Sequence, residues 1–294
     1  MTQYFPFDPN PRAPAEPPPP GACDAQFHVF GPRERYPVRP DAGYEMPHAT
    51  FEEAMRMHRT LGITRGVIVQ PTTYGTDNSA MLDALALAGP GYRGCTIGKT
   101  LDTASEAELQ RLHDAGVRGA RFNFLRSLNM MPTPEALANS AARLRELGWY
   151  MKIQPGNEGI LDAVALYEDL DIPVLIDHMG RPDLSEGLDG PTVRKVIELL
   201  GRGNFWLMLS NGHKLSRQGA PWDDAVPLAQ AYIQAAPDRV VWSTDWPHPV
   251  STRRPPNDGD LLELFYRYAP DADTRRRVLV DNPAALFGFG PVGT

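Results

Sequence analysis

An aspartate at the end of a buried strand is the residue in this chain best placed to do chemistry. In RVVWSTDWPHP, residues 239–249, the apolar run from Val240 to Trp242 predicts a short strand that stops just before Asp245. Pro247 and Pro249 have no backbone donor, so the strand cannot continue through them. The carboxylate is left at the sheet's mouth, where α/β enzymes keep their reactive groups. Ionised, it could take a proton from water or a hydroxyl. Alone, the same aspartate could be a turn former bonded to its own backbone.

The other strand ends decide between these readings. DAQFHVFG puts Gln26 and His28 two apart, hence on one side of a strand. A second strand ends at Gln70 before Thr72, Thr73 and Tyr74, and a third ends at Lys99. VRGARFNF offers Arg121 and Asn123, with Arg126 shortly after. Lys152 and Gln154, then Asp177 and His178, close the fifth and sixth, and the seventh runs into Ser210, Asn211, His213 and Lys214. Such groups are seldom buried without partners, so their recurrence points to a functional cavity. A satisfied core histidine would explain His28, a structural ion pair Arg121, and a turn His178, but not all three together. Lys152 shares a side with Gln154 by alternation and could also snorkel outward. His48, His58 and His113 read as surface or helix residues, with His48 in a loop over 32–50 that could cover the mouth.

Eight β-rich runs must carry these groups: 22–28, 66–70, 94–99, 116–122, 149–154, 173–177, 204–209 and 240–244. Between them lie helical periods at 51–61, 78–88, 106–114, 134–147, 160–170, 192–200, 223–235 and 260–268. Ser105 with Glu108 spells a capping box, and Gly62, Gly116, Gly148 and Gly201 follow helix ends. Strict alternation implies parallel pairing, and eight units imply a closed (β/α)8 TIM barrel, with an open doubly wound sheet as the alternative. No G-x-G-x-x-G follows the first strand, which weighs against the nucleotide-binding form of the open sheet. Residues 1–20 are dominated by proline and predict an extended tail, leaving 21–294 as one catalytic domain.

Composition narrows the partners. A net charge of −7, with no basic run interleaved with aromatics, argues against nucleic acid and anionic membrane surfaces. No apolar stretch approaches the length of a membrane span and no signal pattern opens the chain, so a cytoplasmic location is expected. Cys23 and Cys95 are too few for a disulfide framework or a zinc cluster and read as core thiols. A small anionic molecule is the expected partner; composition leaves the oligomeric state open.

Taken together, DAQFHVFG, QPTTYGTDN, RFNFLR, DHMGRP, PWDD, STDWPHP and VLVDNPAALFG resemble, in order and spacing, the amidohydrolase superfamily, and within it the branch of the 2-pyrone-4,6-dicarboxylate lactonases. The resemblance runs from about Gly21 to Phe287. It implies the barrel, and a hydrolase that opens a carboxylated lactone. Metal-dependent superfamily members have two histidines where this chain has Gln26 and His28, and often a further histidine at the position of Gln154. Because the lactonase branch is thought to work without metal, the resemblance implies no cofactor, the alternative being one zinc on His28, His178 and Asp245. Tyr44, Arg121, His178, Arg181 and Asp245 match the lactonases, which have tyrosine at the position of Gln154 and arginine at those of Ser127 and Lys214. A galactarolactone isomerase is also similar, with glutamine at the position of Gln26 but asparagine at that of Asp245.

The expected chemistry is lactone hydrolysis, with Asp245 as general base and His28, His178 and Gln26 around the developing oxyanion. Arg121, Arg181 and Lys214 would hold substrate carboxylates, with Tyr44, Thr73, Asn123, Arg126, Gln154 and His248 completing the substrate site. Lactone isomerisation, metal-dependent decarboxylation and a catalytically silent binding protein are the competing readings.

Overall fold

In a computed structural model that describes residues 4–46 and 48–291, eight parallel strands lie in the order of the sequence. They are β1 (Cys23–Phe27), β2 (Arg65–Val69), β3 (Tyr92–Ile97), β4 (Val117–Asn123), β5 (Tyr150–Gln154), β6 (Val174–Ile176), β7 (Phe205–Leu209) and β8 (Val240–Trp242). The seam between β8 and β1 is shut by a few bonds: the Asp245 N–H donates to the Gln26 carbonyl (3.1 Å), and the His28 N–H to the Trp246 carbonyl (2.8 Å). The Asp24 carboxylate tightens it by accepting from the Thr244 N–H (3.0 Å) and hydroxyl (2.5 Å). This is the (β/α)8 barrel the alternation predicts.

The inward-facing set explains why the strands read as apolar. Cys23, Ala25, Val67, Val69, Cys95, Leu175, Met208 and Val241 pack with Tyr150 and Phe287 as one buried group. Gly119 is required here, since a side chain at that position would run into the Tyr150 ring. The register of β1 shifts between Asp24 and Phe27. That irregularity turns Phe27 out against the helices while Gln26 and His28 meet the Asp245 loop.

The helices cover the outside, and several begin as the sequence predicts. Over α1 (Phe51–Leu61), Thr50 and Glu53 form a reciprocal capping box. α2 (Ser79–Ala88), α4 (Glu106–Asp114) and α5 (Pro134–Leu147) follow the expected periods, and an unforeseen α3 (Gly98–Thr103) leads directly out of β3. Lys99 therefore lies in a helix and not at a strand end. The period at 160–170 does not give a helix: it forms two separate 3-10 turns, Ile160–Asp162 and Val164–Leu166. Gly159 supplies no capping oxygen, and the Asp162 carboxylate turns back to accept from the Glu158 N–H (3.1 Å). After α6 (Pro191–Gly201), a short α7 (Gly212–Leu215) follows β7, and α8 (Val226–Ala235) begins behind a 3-10 turn at Asp223–Ala225. The wall ends with α9 (Asp258–Tyr268), α10 (Ala272–Arg276) and α11 (Asn282–Phe287).

The proline-rich lead runs extended over the barrel's outside. Its Phe5 N–H donates to the Ser251 carbonyl (2.9 Å), Phe7 packs on Trp246 with ring centroids 4.6 Å apart, and the Arg12 N–H donates to Asn257. Residues 1–3, Pro47 and 292–294 lie outside the described residues. His58, read as a surface or helix residue, lies in α1 on its buried face: it bonds Asp24 (3.1 Å) and the Tyr92 hydroxyl (3.1 Å). His113 is partly buried against Trp149, whose indole N–H donates to it (2.9 Å). Both cysteines are buried free thiols. Among the described residues no helix is long and apolar enough to cross a membrane.

Candidate active site

The C-terminal ends of the strands open on a cavity of about 350 Å³. Asp245 lies in its wall with a left-handed backbone, φ 61°, imposed where the chain leaves β8. Its side chain is almost wholly buried and surrounded by nitrogen. Gln26 Nε2 donates to Oδ1 (2.6 Å), Asn211 Nδ2 donates to Oδ2 (2.9 Å), and Lys214 Nζ stands 3.3 Å from Oδ2. Burial alone would raise the carboxyl's pKa, but Lys214, His178 and the bond from His28 outweigh it and hold the group well below the usual range. It is a carboxylate at neutral pH.

His28 Nε2 lies 3.5 Å from Asp245 Oδ1. The other ring nitrogen, Nδ1, is 2.8 Å from the Val69 carbonyl, which can only accept, so Nδ1 carries a proton. Nε2 is thus the ring nitrogen turned to the aspartate. His178 sits at the end of β6 with φ 51°. Its Nδ1 meets Ser210 Oγ (2.8 Å) and Asn211 Nδ2 (2.9 Å), and its Nε2 meets the Arg121 guanidinium (3.3 Å). Burial pushes its pKa down to about 4, so the ring is neutral near pH 7.

Beneath these groups lies a second carboxylate. Asp177 accepts from Arg121 Nε through Oδ2 (2.8 Å) and forms an ion pair with Lys152 Nζ through Oδ1 (2.6 Å), and all three side chains are buried. Lys152 does not snorkel outward; it points into the barrel. Across the cavity stand Arg181, Tyr44 and Gln154. Burial raises the Tyr44 phenol to about 12, so it keeps its proton and can donate.

Four expected substrate contacts fall elsewhere. Thr73 is buried behind the cavity because the 3-10 turn Thr72–Tyr74 presents Thr72 to it instead. Asn123 opens on a separate recess beside α3, and Arg126 on another with Asn157 and Asp162. His248 is fully buried with Nε2 3.1 Å from Asp258. Gln26 does not line the cavity and acts on Asp245 directly. Asn211 and Asp177 join the site although their strand-end positions alone assign them no role; the signal for Asn211 is an Asn-Gly pair after an apolar strand, a pattern that favours a left-handed turn.

The donor set does not suit a metal ion. Among the described residues no three His, Cys, Asp or Glu side chains converge on one point. Both oxygens of Asp245 already face hydrogen-bond donors, one of them an ammonium, and a guanidinium stands at His178 Nε2.

The chain is 37% identical over 273 residues to a 4-sulfomuconolactone hydrolase of Hydrogenophaga intermedia, covering 92% of this chain and 89% of that protein. It is 37% identical over 287 residues to a 2-pyrone-4,6-dicarboxylate hydrolase of Comamonas testosteroni, covering 95% and 93%. A crystal structure of an Agrobacterium tumefaciens protein superposes with a TM-score of 0.84 at 30% identity, covering 95% of this chain and all of that one. The amidohydrolase family model matches residues 23–289, and the chain, with its strand-end carboxylate and its eight-stranded barrel, belongs to the amidohydrolase family.

Proposed function

We propose that the protein hydrolyses a lactone bearing at least one anionic group, with Asp245 activating water and no metal taking part. The observation that carries this is the ionised Asp245 in the wall of a cavity that also exposes Arg121, Arg181 and Lys214. The relatives' substrates, a sulfonated muconolactone and a pyrone dicarboxylate, have the anionic lactone chemistry that these cations would attract.

Water held by Asp245 gives up its proton to that carboxylate as its oxygen bonds to the ring carbonyl carbon. His28 Nε2 stands 3.5 Å from the same carboxylate and helps to fix its orientation. The carbonyl oxygen becomes negative and is met by the Tyr44 phenol, which keeps its proton, and by the Lys214 ammonium, while Arg121 is left for the substrate's anionic group. His178, neutral, accepts from the Arg121 guanidinium at Nε2 and orients it, in place of donating to the oxyanion itself, while Asn211 holds the aspartate. As the ring C–O bond breaks, the leaving oxygen recovers the proton from Asp245. Lys214 depresses the basicity of Asp245, and a substrate anion that draws the ammonium away restores it.

The metal-free reading rests on Lys214 and Arg121 occupying the approaches that a cation would need. Elemental analysis of the active enzyme is expected to show no stoichiometric zinc, and chelators to leave turnover intact. The reaction itself is tested by incubating carboxylated lactones in ¹⁸O-water. A ring-opened acid carrying one ¹⁸O is expected; a rearranged lactone without label would make the protein an isomerase.

A further inference from the structure

Two cations share one carboxylate at the floor of the site. Arg121 and Lys152 both pair with Asp177, through different oxygens, and the three side chains are at most 6% exposed. The formal count is one positive charge in excess, in a place where water cannot spread it. His178, the nearest other titratable ring, is neutral near pH 7 and does not alter that count. Asp245 and Lys214 form a separate pair at the wall. Of the floor groups only Arg121 reaches the cavity, so the unbalanced charge is presented through its guanidinium.

Resting on the reading of the substrate as an anion, we propose that Lys152 is a positioning residue that never meets substrate: it takes up half of Asp177, so that Arg121 keeps an uncompensated charge for the substrate's anionic group. Without Lys152, Asp177 would neutralise Arg121 fully, and the floor would attract an anion no better than a polar amide. A lysine retained at full burial for packing alone would be costly, because a methionine fills similar space with no charge to desolvate. Its contact with Met208 Sδ, at 3.6 Å, offers the ammonium little in return. Burial lowers the pKa of its ammonium, and the Asp177 carboxylate 2.6 Å away opposes that shift.

The test counts charge at constant shape. Lys152→Met brings the floor to zero, Asp177→Asn raises it to two, and the double variant returns it to one. Binding of a flat dicarboxylate that cannot be opened, pyridine-2,4-dicarboxylate, is read by titration calorimetry, and KM and kcat are read on an anionic and a neutral lactone. Lys152→Met is expected to weaken dicarboxylate binding by about tenfold or more and to raise KM for the anionic lactone alone. The double variant is expected to recover most of that loss. If the double variant binds as poorly as or worse than Lys152→Met, or if the neutral lactone suffers equally, Lys152 is merely structural and the inference is overturned. The calorimetric series stands without turnover. A parent protein that opens no lactone would therefore defeat the proposed reaction while leaving this count to be decided by binding.

Discussion

The two ends of the barrel turn the chain with different residues. At the N-terminal end, left-handed turns ahead of β2, β3, β4, β5 and β7 fall on Gly62, Gly89, Gly116, Gly148 and Gly203. At the C-terminal end glycines such as Gly75, Gly159 and Gly180 are joined in the positive-φ region by residues with side chains that form the site or stand beside it, among them His178, Arg181, Asn211, Asp245 and His248. Every described non-glycine residue with positive φ lies in a loop after β4, β6, β7 or β8. Glycine adopts this conformation freely, whereas another residue there costs on the order of 1 kcal/mol or more. One end is built for stability, and the other accepts strain to aim its functional groups.

That contrast can be broken at several points. The largest effect is expected at the functional end: Asp245→Asn keeps the turn but removes the proton acceptor, and should lower kcat by about 10³-fold while dicarboxylate binding survives. Parental turnover in that variant would remove Asp245 from the chemistry. Next comes acid sensitivity. His178 has an ordinary value near 6.5 and a folded value of about 4, so between these the unfolded chain binds a proton that the fold refuses. Stability should therefore fall as pH drops from 6.5 towards 4, by on the order of 3 kcal/mol, and denaturant titrations of the parent and of His178→Gln should show a shallower fall in the variant.

Asn211→Gly relieves the strained backbone but deletes the bond to Asp245. Its melting temperature should change little while kcat falls about tenfold, since strain relief offsets a lost hydrogen bond in stability but not in alignment. The smallest effect belongs to the other end. At Gly148, φ 64°, an added methyl group would meet no atom within 4 Å, so Gly148→Ala should cost only backbone strain. A loss of about 1 kcal/mol with unchanged kcat/KM is expected by thermal unfolding and kinetics. A change in kcat/KM there would erase the division between the two ends.

Much of this was legible in the sequence because strand alternation is a local signal. Gln26 and His28, Arg121, and Lys152 with Gln154 fall on the faces that a period of two assigns them. What escaped depended on turns and on long-range partners. Thr73 lost its place to Thr72 through one 3-10 turn, and His248 was claimed by Asp258, ten residues away. For His58 the signal was present: Ala54, Met57, His58 and Leu61 repeat at helical spacing and are all buried on one face of α1. Nothing local marked Asp177 as the shared partner of Arg121 and Lys152, since those residues come from two other strands.

The leading segment that lies across the outside of the barrel has a practical meaning. Phe7 rests on the ring of Trp246, the residue next to Asp245, and the neighbouring Phe5 amide is tied to Ser251 in the same loop. Trimming this segment, or fusing a bulky partner close to it, would thus disturb turnover by loosening the loop from behind, although none of residues 4–12 lines the cavity.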